Sequence, residues 1–544
     1  MSCWILSLAS LVLTVNAANI QKAGLVQPSD SAVHAQDAKD LFSAAYADYK
    51  KYAWGHDSLA PISKAPVDDR NGWGATIVDA LSTAKVMGLD DIFNEGVNFS
   101  AQIDFSQSKT SDTVSLFEST IRYVGGLISA YELGGKTNYA LITKAQELAD
   151  KLAYAWVGSN DFPYNDNDFN TNRPVIETSG IGMRTPFNKA WDYLSTSSSA
   201  VAGTLVLEWA KLSDYTKNET YRQLAEKSMY RVGSNAAPLP GLPAQGIDPS
   251  TNGTVGDYIT WGGGSDSYFE YLIKYGRLTN NFNPGWTSRW LTAVDSSIRY
   301  LAQTAVNTSI PDLLYLGDYT QGRVRHIGSH LACFQGGNWI MGGRLTGNDT
   351  IFNYGLRLTD ACWNTTGIGP EVFAWVGPDG SYAGSISPSS QDLEYYKANG
   401  FYVYNNYAYY DLRPEVLESN FYAWRATGDI KYYNRAIAGL ESIKRFCRPG
   451  VGVDGINDVR SANSGYLDHT ESFFFAEVMK YIYLTFADPS VIDLDKYVIN
   501  TEAHPLEAPA ALSSYHPTIR APLGGHLPSK TWTGIIPQIS FVRG

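Results

Sequence analysis

The sequence predicts an all-α protein of stacked helical hairpins, either closed into a toroid or left as an open solenoid. Three observations carry this expectation. A helix–turn–helix theme recurs at 128–152, 206–232 and 421–446, each with a short Gly, Ser or Asp turn, an aromatic residue and a second amphipathic helix. Phe117, Ile121, Val124, Ile128 and Tyr131 advance in steps of four and three, which marks one helical face. Patterned strands are few, with room for a short hairpin in 315–334.

In chain order, residues 1–17 read as a secretory signal peptide. An apolar run from Trp4 to Val15 ends in small residues at Ala17 and Ala18, although no Lys or Arg precedes it. A polar leader occupies 18–35. Helical patterning then continues to 505 without a Pro/Ser linker, so 36–505 is expected to be one catalytic domain. Residues 506–544 form a Pro/Gly-rich tail. No later segment qualifies as a transmembrane helix, and the C-terminus carries no retention signal. The expectation is a secreted protein without a membrane anchor, and a monomer.

Sequons at Asn98, Asn218, Asn252, Asn307, Asn348 and Asn364 agree with that route. In an oxidising compartment two of Cys333, Cys362 and Cys447 should pair, and the spacing alone does not choose which. The net charge is −12 and no basic block is present, which argues against nucleic acid and anionic membranes as partners. Aromatic content of 13% suits both sugar faces and core packing. The chain lacks HExxH, CxxC, P-loop, EF-hand and GxSxG motifs.

Five acidic segments sit inside apolar and aromatic runs. They carry Glu118, then Asp266 with Glu270, then Glu371, then Glu415 with Glu418, then Glu471 with Glu477. A buried carboxylate is costly unless something pairs with it, so five clusters point to acids converging on one pocket. Paired carboxylates are the working parts of glycoside hydrolysis. Structural roles are open to some of them. Glu118 lies four before Arg122, an ordinary helical ion pair. Glu415 and Glu418 follow Arg413-Pro414, where acids favour the start of a helix.

Nine stretches make a closer resemblance. They are YAWGHDSLAPISK, NGWGATIVDALSTAKVMGL, LFESTIRYVGGLISAYEL, GGSDSYFEYLIK, SHLACFQGG, GIGPEVF, LRPEVLESNFYAWRATGD, TESFFFAEVMKYIYLTF and VINTEAHPL. In their order, covering about 40–505, the chain resembles the class I α-1,2-mannosidases of glycoside hydrolase family 47, and among them secreted fungal members. The resemblance implies an (αα)7 barrel, a calcium ion at its floor, and inverting hydrolysis of terminal α-1,2-linked mannose on high-mannose oligosaccharides and glycoproteins.

The resemblance also implies roles. Glu118 matches the acid proposed to protonate the leaving oxygen. Asp266 matches a second acid that some schemes make the donor, and Glu415 matches the base that activates water. Glu371, Glu418, Glu471, Glu477 and Glu502 match pocket acids, Arg122, His330 and Arg413 polar pocket residues, and Phe473 the aromatic under the sugar. Thr501 matches the calcium ligand, and Cys333–Cys362 the family disulfide. Members that release a single mannose carry Arg where Gly264 stands, so Gly264 implies broader trimming. A membrane anchor common in the family is absent here. Two other readings compete. A glucoamylase-like toroid is disfavoured by NTEAH and RPExxES. A non-enzymatic mannose-binding relative is disfavoured by intact Glu118, Asp266 and Glu415.

Overall fold

Two kinds of helix alternate along the chain. One kind is buried on nearly every side, its few charged residues included. It comprises Ala75–Val86, 116–133, 199–216, Asp266–Leu278, 331–346, Glu415–Thr427 and 474–486. The other kind buries one face only: Ser31–Ala53, Asp90–Ser100, Ala140–Leu152, Thr220–Val232, Gly285–Tyr300, Asp349–Asn364 and Ile430–Phe446. A helix buried all round must be enclosed by its neighbours, whereas one that buries a single face belongs on the outside. The outcome is an inner ring of seven helices within an outer ring of seven. This computed structural model describes residues 18–175, 197–283, 285–365, 367–378, 380–383 and 387–517, with the backbone of 540–541. The signal peptide at 1–17 lies outside the described residues, as does most of the tail beyond 517.

The ring closes on itself. Thr83 Oγ1 on the first inner helix donates to the Ala476 carbonyl on the last, at 3.2 Å. The outermost N-terminal helix covers that seam, with Phe42 edge-on to Phe475 at 5.4 Å. The expected toroid is therefore present, and all three helical hairpins read from sequence fall on inner–outer pairs. The hairpin expected in 315–334 is there too, pairing Asp318–Thr320 with Arg323–Arg325. Further strands of two or three residues were not legible, because so short a run shows no alternation.

One such hairpin matters for the site. Tyr497–Ile499 pairs with Pro505–Glu507, and the intervening turn, with Ala503 at φ 56°, enters the ring from one end. It comes close because helix 116–133 offers Gly125 and Gly126 there. A Cβ on Gly125 would lie 2.7 Å from Asn500 Nδ2, and one on Gly126 would lie 2.8 Å from Val78 Cγ1 and 3.2 Å from His504 Nε2. Asn500 then locks the turn. Its Oδ1 accepts from the Glu502 and His504 amides at 3.0 and 2.7 Å, and its Nδ2 donates to the Ile121 carbonyl at 3.1 Å.

Cys333 and Cys362 form the disulfide and Cys447 is a buried free thiol. The chain stays packed beyond 505, where Tyr515 is fully buried and its amide donates to the Leu345 carbonyl at 2.8 Å. Among the described residues no helix is long and apolar enough to cross a membrane. Of the sequon asparagines, Asn98, Asn218 and Asn307 are exposed. Asn252 and Asn348 accept hydrogen bonds from backbone amides, and Asn364 Nδ2 donates to the Asn399 carbonyl.

Gly126→Ala should destabilise the protein by about 1–3 kcal/mol through overpacking, although Ala is the better helix former. Denaturant unfolding checks this, and a rise in stability would contradict the close-approach account.

Candidate active site

The site grows from two irregular turns of inner helix. Ser119–Val124 and Phe474–Val478 are π-helical, a widened turn that often marks functional sites. The first follows Glu118 and contains Arg122. The second follows Phe473 and contains Glu477. Each extra residue rotates the remainder of its helix, so the stripe read from Phe117 to Tyr131 is not one face. Val124 and Ile128 are core, whereas Phe117 and Ile121 line a pocket.

That pocket holds about 530 Å³ at the mouth of the inner ring, above the 497–507 hairpin. Nine of the site residues expected from sequence line it: Glu118, Arg122, Asp266, Arg413, Glu415, Phe473, Glu477, Thr501 and Glu502. The other four stand just behind. Glu371 accepts from Arg413 Nε at 2.7 Å. His330 Nε2 lies 3.9 Å from Glu415 Oε2. Glu418 is one turn along from Glu415. Glu471 sits 3.7 Å from Arg70 Nη2. Glu270, from the same acidic segments, is buried and paired with Lys274.

Arg122 is the junction. Its Nε donates to Glu118 at 2.8 Å, and its Nη1 reaches Ser472 Oγ at 3.0 Å, Asp79 at 3.4 Å and Glu502. The Arg122 and Arg413 guanidiniums stand 5.6 and 5.9 Å from the centroid of the Phe473 ring, a favourable cation–π arrangement. Arg70 joins from a loop held by Asp57, whose carboxylate accepts from the amides of Arg70, Gly72, Gly74 and Ala75 at 2.6–3.0 Å.

The acids then divide by environment. Burial alone would raise the Glu118 carboxyl, but Arg122 and Arg70 hold it below the ordinary range. Asp266, at the start of its helix, is pushed up to about 7 by burial and by Glu270. Glu415 is also pushed up to about 7 by burial, against the pull of Arg413. Glu418 rises to about 8 for the same reason despite Lys274, and Glu477 rises well above its ordinary value through burial and Glu502. His330 is driven down to about 3 by burial and Arg413, so its ring is neutral. Both its nitrogens and Glu415 Oε2 are buried without a hydrogen-bond partner among the described residues.

Sequence reasoning did not single out Arg70, Asp79, Ser472 or Asn500. Arg70 sits in a polar Asp/Gly turn, where a cation usually reads as solvated surface. Asp79 is the one carboxylate in the apolar helix Ala75–Val86, and that was the signal available. A second group went unremarked at the rim. Asp69, His469 and Glu471 bring ligand atoms within 4.8 Å of one another and could hold a metal ion. Burial opposes charge on His469, but Asp69 at 3.0 Å and Glu471 at 3.5 Å raise its pKa, so an imidazolium can serve as the cation there. Gly264 has φ 89°, and a Cβ there would lie 2.5 Å from Gln245 Nε2. The space beside Gly264 is thus taken by an amide.

A sequence profile of glycosyl hydrolase family 47 matches residues 41–508. The chain belongs to that family. It is 40% identical over 512 residues to a probable mannosyl-oligosaccharide α-1,2-mannosidase 1B of Aspergillus clavatus, covering 89% of this chain and 94% of the relative. It is 38% identical over 532 residues to the mannosyl-oligosaccharide α-1,2-mannosidase 1B of Aspergillus phoenicis, covering 92% and 98%. The solved structure of an α-1,2-mannosidase from Trichoderma reesei superposes with a TM-score of 0.80 at 34% identity, covering 88% of this chain and 99% of that one. This family 47 protein is therefore an enzyme, a glycoside hydrolase, as the sequence resemblance implied.

The raised acids make stability depend on pH in a defined sense. Asp266 and Glu415 keep a proton up to about pH 7 when folded, but lose it near ~4 when unfolded. The folded state binds more protons between these limits, so stability falls as pH rises from about 4 to about 7. Melting of metal-free protein across that range should show the decline, and Asp266→Asn with Glu415→Gln should lessen it, the remainder coming from Glu418 and Glu477.

Proposed function

We propose that this family 47 enzyme is a calcium-dependent, inverting α-1,2-mannosidase that removes several terminal mannoses from high-mannose N-glycans. The observation that carries this reading is one pocket in which an anionic carboxylate, a proton-holding carboxyl and a candidate base converge on a partnerless cavity. Inversion needs a proton for the leaving oxygen and a carboxylate to activate water from the opposite side.

The roles come from environment. Asp266 forms no ion pair among the described residues, feels Arg413 only weakly and holds its proton near neutrality, so it donates to the leaving oxygen. Glu415 lies beside Arg413, the largest pull toward its ionised form, and it takes the proton of the attacking water. The two titrate as a pair. Glu118, held anionic by Arg122 and Arg70, places negative charge where an oxocarbenium-like transition state gains positive charge. Phe473 packs under the sugar ring. His330, Glu371, Arg413, Glu418, Glu471, Glu477 and Glu502 hold sugar hydroxyls and water.

The donor set also fits calcium. It is all oxygen, with buried carboxylates whose pKa values stay raised despite Arg122, as suits a hard cation. Thr501 would hold the ion, with Glu477 and Glu502 nearby. When bound, calcium supplies positive charge that relieves the crowded acids and orients sugar hydroxyls. The absence of a large cation at Gly264 favours continued trimming, with Gln245 filling that space. The segment 1–17 acts as a cleaved signal, and the protein enters the secretory pathway, takes N-glycans and is released as a monomer.

Purified enzyme should release mannose from a high-mannose N-glycan past the first residue, and EDTA should abolish release. Asp266→Asn and Glu118→Gln should each lower kcat by about 10²–10⁴-fold while oligosaccharide binding persists. In their residual activity only Asp266→Asn should lose the alkaline limb of the pH–rate profile near 7. Loss of that limb in Glu118→Gln instead would assign the proton to Glu118.

A further inference from the structure

Helix Asp266–Leu278 has a second cleft at the end opposite Asp266. It holds about 730 Å³, more than the catalytic pocket, between hairpin 206–232 and the start of Gly285–Tyr300. Its lining is aromatic and polar. Phe282 at its edge is 91% exposed, an unusual position for a large apolar ring. Trp286 is only 2% exposed, and its indole N–H has no acceptor among the described residues. A buried donor left unpaired costs about 1–3 kcal/mol, and Trp286 lines the cleft, so a small shift of its ring toward an entering oxygen acceptor would be favoured.

The charges around the cleft are already matched. Lys136 pairs with Glu507 at 2.5 Å, and Arg222 pairs with Glu219 at 3.0 Å and with Asp214. An ionic ligand would find no unpaired partner in those groups. Aromatic faces beside paired polar groups suit a neutral, hydroxyl-rich ligand. Such a ligand has an attachment point within reach. Asn218 is exposed, heads the sequon Asn218-Glu219-Thr220, and sits in the turn between Tyr215 and Arg222, both of which line the cleft. Its Oδ1 accepts from the Thr220 amide at 3.1 Å, which orders the turn.

We propose that the N-linked oligosaccharide carried by Asn218 seats in this cleft, stacking on Phe282 and giving Trp286 its acceptor. The proposal rests on the secretory route above and not on the catalytic assignment. The glycan would then be a structural part, tying hairpin 206–232 to helix Gly285–Tyr300 and bracing the far end of the helix that begins at Asp266.

The test uses protein secreted from a glycosylating host, with Asn218 occupancy read by peptide mass spectrometry. Hydrogen exchange of segments 211–222 and 279–290 is compared before and after native deglycosylation. Removal should raise exchange in both segments. Phe282→Ala should do the same in glycosylated protein and add nothing to Asn218→Gln. An unoccupied Asn218 overturns the proposal, as does exchange unmoved by deglycosylation, which would mean that the glycan does not seat in the cleft. A further arm adds free N-glycan core oligosaccharide, lacking α-1,2-linked mannose, to Asn218→Gln. Protection of both segments by that free sugar would make the cleft a site for incoming glycans and overturn the covalent assignment. Mannose release is measured in parallel, so failure here is distinguishable from failure of the enzymatic reading.

Discussion

The site hangs on one buried guanidinium. Arg122 is bonded at once to Glu118 on its own helix, to Asp79 on the first inner helix, to Ser472 before the last, and to Glu502 in the floor hairpin. Removing one partner of such a network strands a charge in a low dielectric, which costs several kcal/mol. The π-helical turn that carries Arg122 is consistent with this demand. A regular helix would aim the side chain elsewhere, and the widened turn directs it inward while Asn500 satisfies the Ile121 carbonyl within it.

Around that junction the protein carries more negative charge than it neutralises. Asp266, Glu415, Glu418 and Glu477 all have raised pKa values, with desolvation as the leading cause. Packing chosen for stability alone would avoid this, since a buried polar group without compensation is unfavourable. The arrangement makes sense when substrate hydroxyls and a divalent cation provide the missing partners. The same crowding separates the acids chemically, because two arginines keep Glu118 ionised while Asp266 forms no ion pair among the described residues.

Part of this was legible in the sequence because it is local. Helical hairpins repeat within about thirty residues, and acids within aromatic runs such as HTESFFFAEV stand out without knowledge of partners. Glu471 and Glu477 were identified in that way. Other parts are invisible locally. Arg70 becomes a site residue only because Asp57 folds its loop over Glu118, and Gln245 meets Gly264 only because the amides of Ser199 and Ala200 hold both. The stripe from Phe117 to Tyr131 was read with the correct period, but the π turn broke its phase.

By itself the sequence determined the helical class, the recurrence of helical hairpins, the acidic segments that meet around the pocket and, through long motifs in order, the family. Each of these depends on side-chain periodicity or on neighbours along the chain. Tertiary structure alone decided which acids hold protons, which arginine serves which carboxylate, and how closely the floor hairpin approaches the inner ring. Those outcomes are set by burial and by charges brought within a few ångströms from segments hundreds of residues apart, and a linear reading carries neither quantity.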